Sequence, residues 1–265
     1  LRENRGEIEA AAAGRLPALI AAPDYRGALH THSTWSDGLA SVAQMAEAAR
    51  ALGYEYHAVT DHSRALTVAR GLDEERLEAQ MQEIAALNAA SADGFSILTG
   101  IECDILADGE LDLPLALLAR LDVVVASVHL HQKQDRDTMT ARIVRALESG
   151  VVDILAHPTG RLLGARDPYP VDLDRVIAAA VTNQVALEIN AYPDRLDLDD
   201  EWARRARQAG AWISVNPDAH RPEQLALLEY GIGQARRAWL GANDVLNCWP
   251  RATLLAWLRD RTPPG

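Results

Sequence analysis

The chain has 265 residues, 48% of them apolar and only 5% aromatic. Leu, Ile, Val and Ala must therefore fill the core of one large α/β domain or two small ones. A formal net charge of −12 argues against a stand-alone nucleic-acid binder, which is usually basic. Two conditions lift that exclusion: carboxylates that hold divalent cations, which reverse the local field, or a basic partner domain outside this sequence.

In chain order, residues 1–24 read as a polar helix and a linker punctuated by Pro17 and Pro23. Seven short apolar runs follow, at 27–33, 54–60, 96–105, 122–128, 152–156, 185–191 and 211–215. They are rich in Val, Ile and Leu without clean alternation, as parallel strands buried on both faces are. Helix-like stretches separate them, at 41–52, 73–90, 136–150, 172–183 and 199–210, and two more, at 222–230 and 251–261, close the chain. Ser41 is an expected N-cap, and Gly53, Gly150 and Gly210 are expected stops. This alternation predicts a parallel α/β architecture, a distorted TIM-like barrel of seven strand–helix units. No apolar run approaches the roughly 20 residues that cross a bilayer, and the charged, Ala-rich start is unlike a signal peptide. The expectation is a cytoplasmic protein with no membrane partner. Cys103 and Cys248 lack the spacing of a redox or metal motif.

Each predicted strand ends in residues able to bind a metal. The first leads to His30, His32 and Asp37, the second to Asp61 and His62, and the third contains Glu102. The fourth and fifth end in His129 and His157, the sixth carries Glu188 and Asn190, and the seventh leads to Asp218 and His220. In a parallel barrel these ends share one face, where the loops after the strands build the site. His30 and His32, two apart on a strand, should point to the same side, and Asp218 and His220 repeat that spacing. Imidazole suits Zn, Mn and Fe, and carboxylates compensate charge. About nine candidate ligands exceed what one ion takes and imply two or three. His57, in mid-strand, reads as a hydrogen-bonded core residue. His131 reads as a substrate-side group, and Asp61 as a carboxylate that orients a metal-bound imidazole. Glu188 and Asn190 fit either direct ligation or support of a ligand.

The segments HTHSTWSDG, TDHS, GIECDI, ASVH, AHPTGRLL, EINAYPDRLDL and NPDAH resemble the ordered motifs of the PHP (polymerase and histidinol phosphatase) superfamily. The likeness runs from Arg2 to Leu258. It is strongest to the C-terminal PHP domain of bacterial family X DNA polymerases, with LRENRGEIEAA resembling the segment that joins it to the polymerase core. The resemblance implies a linker at 1–24, a phosphoesterase domain at 25–265, and an upstream polymerase X core as partner. It implies a (β/α)7 barrel with three divalent ions, manganese first, with zinc or iron as alternatives. One ion would take His30, His32, Glu102 and Asp218; a second would share Glu102 and add His129 and His157; the third would take Asp37, His62 and His220. The implied activity is a 3′→5′ exonuclease acting in DNA repair on single-stranded or gapped 3′ ends, with water ionised between the ions bridged by Glu102.

Arg161 and Arg195 are candidate phosphate clamps, with Arg161 preferred, and His131 a candidate proton donor to the leaving 3′ oxygen. The Arg204, Arg205 and Arg207 run reads as a solvated helix face. One departure stands out: Ala28 occupies a place where the family often has Asp, removing a carboxylate expected to support the histidines. Two other functions are compatible with the motifs: a phosphomonoesterase of the histidinol-phosphatase type, and a non-catalytic structural or regulatory module.

Overall fold

A computed structural model of the chain describes residues 4–91 and 94–260. Leu1, Arg2 and Glu3 of the joining segment, and Arg261 at the end of the last predicted helix, lie outside the described residues.

Seven strands form one parallel sheet in the order of the sequence: β1 (Gly27–Ala28), β2 (Tyr56–Val59), β3 (Ser96–Asp104), β4 (Val123–Ser127), β5 (Ile154–Leu155), β6 (Ala186–Asn190) and β7 (Ile213–Asn216). The sheet curls into the expected seven-stranded barrel. The seam between β7 and β1 has no regular ladder. Above, it is closed by a parallel bridge, Thr31 to Ala219, with His32 N donating to Ala219 O at 2.8 Å. Below, the buried Asn247 side chain spans it. Its Oδ1 accepts from Val215 N at 2.8 Å and Ser214 Oγ at 3.0 Å, and its Nδ2 donates to Gly27 O at 2.9 Å. A side-chain amide thus stands in for the missing strand, satisfying backbone groups that burial would otherwise leave unpaired.

The helices are α1 (Glu7–Ala12), α2 (Val42–Ala51), α3 (Glu74–Ala90), α4 (Leu115–Leu118), α5 (Arg136–Leu147), α6 (Leu173–Thr182), α7 (Asp200–Gln208), α8 (Leu228–Arg237) and α9 (Arg251–Asp260). Ser41 and Gln44 form a reciprocal capping box on α2. Asp73, Asp135, Asp172 and Asp199 cap α3, α5, α6 and α7, each accepting from the amide three residues on. Each cap contributes about 1 kcal/mol and fixes where its loop stops. The segment predicted as one helix at 222–230 is a 3₁₀ turn, Pro222–Leu227, running into α8. The short α4 has no counterpart among the predicted helices.

One core lies inside the barrel. Tyr56, Leu98, Val123, Val125 and Ile154 from the strands pack with Leu254, Trp257 and Leu258 of α9, which plugs the end opposite the site. Another lies between strands and outer helices, where Met139, Ile143, Val176 and Ile177 meet Leu155 and Leu187. Ile20, in the expected linker, is fully buried in that second core, its amide bonded to Leu240 O. β3 is the central beam. Its first half pairs with β2 and its second with β4, and Gly100 sits at the changeover. A Cβ there would stand 2.9 Å from Val123 O and 3.0 Å from Val59 O, so only glycine lets the three strands close. This places Glu102, two residues on, at the centre of the mouth.

Candidate metal centre

The strand ends do converge. Glu102 is 1% exposed and lies amid five imidazoles. Its Oε1 faces His157 Nε2 at 3.0 Å and His129 Nε2 at 3.4 Å. Its Oε2 faces His62 Nδ1 at 2.8 Å, His30 Nε2 at 3.4 Å and His32 Nε2 at 3.6 Å. Asp218 Oδ1 lies 3.0 Å from His32 Nε2 and 3.7 Å from His30 Nε2. At the rim, Asp37 meets His220 at 3.5 Å and His62 at 3.6 Å. All nine residues named as ligands from the sequence thus fall in one connected cluster.

Groups of ligand atoms close enough to share an ion are His30, His32 and Asp218; His62, Glu102 and His129; and His32, Asp37, His62 and His220. They overlap the three sets implied by resemblance without coinciding, because His32 and His62 each fall in two. The residues suit divalent ions. Buried Nε2 of His30 and Nδ1 of His32 have no hydrogen-bond partner, which is costly unless something coordinates them. Mixed imidazole and carboxylate donors are the chemistry of Mn, Zn and Fe sites.

The cluster's electrostatics point the same way. Burial lowers His30, but Glu188, Asp218 and Glu102 outweigh it and hold the imidazole well above its ordinary value. Burial, then His220 and His62, push His32 down to about 3. Glu102 and Asp218 stay well below the usual carboxylate range despite burial, held there by surrounding imidazoles. The site is thus poised for positive charge.

Behind these residues stands a ring of supports. Glu188 accepts from His30 Nδ1 and His157 N, both at 2.8 Å. Asn190 donates to Asp218 Oδ2 at 2.9 Å. Both are therefore supports. Asp104, absent from the residues singled out by sequence, lies 3.2 Å from His129 Nδ1; its place two residues after Glu102, on the same side of a strand, is the signal that points to it. Asp61 does not orient a histidine, as expected of it. It accepts from Ser33 N, Ser33 Oγ, Ser36 N, Ser36 Oγ and Gln80 Nε2, tying down the loop that carries Asp37. His57 is a core residue bonded to Thr31 Oγ1 at 3.0 Å.

Three further expectations change. Ala28 packs in the apolar cluster with Val42, Met45 and Ala46 of α2, facing away from the metal centre, and Glu188 supplies the carboxylate behind His30. The Asp218–His220 pair is not strand-like: β7 ends at Asn216, and Asp218 has φ 50°. The arginine preference also reverses. Arg161 Nε donates to Arg195 O at 2.9 Å, its Nη2 bonds Leu196 O, and its Nη1 lies 3.5 Å from Asp199. Its fork is taken up by the 192–199 loop. Arg195 points inward, Nε 4.0 Å from Asp218 Oδ2. His131 is exposed on the β4–α5 loop at φ 55°.

A barrel whose strand ends deliver this centre defines a class of metal-dependent phosphoesterase. The profile of the PHP domain matches residues 28–192, and the chain belongs to that family. It is 45% identical over 241 residues to the DNA polymerase/3'-5' exonuclease PolX of Bacillus subtilis (strain 168), covering 91% of this chain and 42% of that protein. The chain thus spans less than half the length of that relative. It is 30% identical over 242 residues to the probable phosphatase YcdX of Escherichia coli O127:H6, covering 88% of this chain and 90% of that one. Among solved structures, a histidinol phosphate phosphatase from Lactococcus lactis, complexed with zinc, L-histidinol and phosphate, superposes with TM-score 0.55 at 18% identity, over 80% of this chain and 94% of that one. That likeness concerns the fold. No helix among the described residues is long and apolar enough to cross a membrane.

Proposed function

We propose that this chain is a 3′→5′ exonuclease module that hydrolyses the terminal phosphodiester of single-stranded or gapped DNA and works beside a polymerase X core. The observation that carries the reading is the division of Glu102: one oxygen faces His129 and His157, the other His30, His32 and His62. A carboxylate so placed would help to hold more than one divalent ion, as multi-ion phosphoesterase chemistry requires. The 45% identity to PolX, against 30% to the phosphatase, favours the diester.

Two or three ions, manganese first, would be held by His30, His32, Asp37, His62, Glu102, His129, His157, Asp218 and His220. Such ions lower the pKa of a bound water and neutralise charge growing on phosphate oxygens. Glu188 and Asp104 hold His30 and His129 with Nδ1 turned away, so that Nε2 faces the centre. Arg195 offers a fork to the phosphate oxygens. His131, at the open rim, supplies a proton to the leaving 3′ oxygen.

A second reading, a small-molecule phosphomonoesterase, is supported by the match to the E. coli phosphatase over 90% of that protein's length and by the net charge of −12. The test is degradation of a 5′-labelled single strand with added manganese, beside hydrolysis of histidinol phosphate. Loss of DNA cleavage on chelation, and a fall on the order of 10²-fold or more in His32→Ala and Asp218→Ala, are expected. Cleavage unaffected by either would overturn the mechanism. Turnover of the monoester alone would establish the second reading.

A further inference from the structure

In a chain of net charge −12, cations without an acidic partner are informative. Many arginines pair with carboxylates: Arg64 with Glu74, Arg136 with Asp172, Arg145 with Glu110, Arg205 with Asp174. Lys133, the one lysine in the sequence, and Arg166 are among the cations that do not, and unlike the exposed Arg15, Arg70, Arg221, Arg236 and Arg259 they sit on the loops after β4 and β5. Both are exposed, and no carboxylate among the described residues lies within ion-pair distance of either.

The two sit on adjoining loops. Arg166 Nε donates to Gly160 O at 2.8 Å. The Gln132 side chain comes to the same glycine, 3.6 Å from where a Cβ would stand. The 131–134 loop, which carries Lys133, therefore abuts the 160–166 turn. That turn is laced to the next loop: Leu163 N donates to Asp194 O at 2.6 Å, and Arg161 Nε to Arg195 O. Arg195 ends the row beside Asp218. After burial, it is the charge of Arg195 that lowers Arg166, as two neighbouring cations would. Asp167 and Asp194 lie on the same loops but pair with neither arginine. The rim from β4 to β6 therefore carries a row of cations on an otherwise acidic protein.

We propose that Lys133 and Arg166 form a ledge outside the metal centre that holds the DNA phosphates upstream of the one being cleaved. This rests on the nuclease reading and deepens it. A monoester has no further phosphate, so these two residues would have nothing to bind in a small-molecule phosphatase. A single strand threaded to its 3′ end leaves its next phosphates at the rim, where exposed Lys and Arg give sequence-independent contacts. The ledge also reconciles the acidic whole with a polyanionic substrate, because the field that matters is local.

The experiment uses manganese-loaded protein, a 5′-fluorescein single-stranded oligonucleotide and bis(p-nitrophenyl) phosphate, a diester without neighbouring phosphates. It compares the wild type with Lys133→Glu, Arg166→Glu and the double variant. Binding is also read by fluorescence anisotropy with calcium in place of manganese, across a salt series. The double variant should lower the preference for the oligonucleotide over the small diester at least about tenfold. It should also flatten the salt dependence by about 0.7 for each phosphate no longer neutralised. Arg166→Glu gives up the bond to Gly160 and so also loosens its turn, whereas Lys133→Glu breaks no side-chain bond and must alone show about half of the slope change. An oligonucleotide cleaved by the wild type, with salt slope and preference unmoved in Lys133→Glu and the double variant, would refute the ledge and leave the nuclease reading standing. A wild type that turns over monoesters but no oligonucleotide would refute both.

Discussion

His30 Nδ1 lies 2.8 Å from Glu188 Oε1, and both side chains are completely buried. The contact orients the ring: Nδ1–H points to Glu188, and Nε2 is left facing Glu102 and Asp218, where it must give up its proton to ligate an ion. Glu188→Gln keeps the shape and can still accept one hydrogen bond, but removes the charge that makes the imidazole a strong donor. Metal affinity is expected to fall about 10- to 100-fold, read by competition with a chelating dye. The circular dichroism spectrum should stay unchanged. Unaltered affinity would show that Glu188 serves only the amide of His157 and its Asn neighbours.

The pH dependence follows from His220. Burial pulls its imidazole down, but its hydrogen bond to Asp37 and the charges of Asp218 and Asp37 prevail and raise it to about 9. Because the folded value exceeds the unfolded one, the ion-free protein gains stability from this group below about pH 6.5. It loses that gain as pH rises through about 9. At neutral pH His220 is thus protonated without ions and must be neutral to ligate one. Metal binding should therefore release protons, and affinity should rise with pH. Calorimetric titrations at pH 7 in buffers of different ionisation enthalpy measure this, and heats independent of buffer would contradict it.

The two arginines should separate by kinetics. Arg195 approaches the cluster itself, whereas Arg161 holds the backbone at Arg195 and Leu196. Arg195→Ala should lower kcat/KM about 10²-fold, the loss of a charge-assisted contact worth roughly 2–3 kcal/mol. Arg161→Ala acts through its neighbour and should cost less. Arg161→Lys should recover part of that loss because one ammonium can still reach a carbonyl. Arg195→Lys, without the fork, should recover little. Equal losses in both alanine variants would mean that Arg161 also reaches the substrate.

These arginines mark where the sequence ceases to be legible. The strand ends can be read because parallel strands put candidate ligands at one mouth of the barrel, so His30, Glu102, His129 and Asp218 are picked out from the sequence as members of one cluster. The helix caps are legible for the same local reason. What a side chain does across the barrel is not. Arg161 and Asp61 are occupied by loops far from them in sequence, 192–199 and 33–36. Ala28 faces α2, and the regular ladder of β1 stops there, before the histidines. The left-handed backbone at Asp218 and His157, φ 50° and 29°, leaves only a weak signature: Asp and His are enriched in that region, but most of them do not adopt it.

The seam offers the sharpest test of the fold. Seven strands leave the barrel one ladder short, and Asn247, 0% exposed, supplies both donor and acceptor there. Asn247→Leu is close in volume but leaves Val215 N and Gly27 O without partners in a dry interior. Each such group costs about 1–3 kcal/mol, so a loss of about 3 kcal/mol or more is expected in urea unfolding of the ion-free protein. Asn247→Asp keeps the acceptor for Val215 N but faces Gly27 O with an oxygen, and should fall between the wild type and the leucine variant near pH 5, losing ground as pH rises. The metal centre should feel the seam as well, because the Thr31–Ala219 bridge on the same seam lies between His30 and His32 on one side and Asp218 and His220 on the other. Weaker metal binding in Asn247→Leu, restored by neither higher pH nor longer incubation, would trace that coupling. Unfolding midpoints equal to the wild type would mean that the outer helices alone hold the barrel closed.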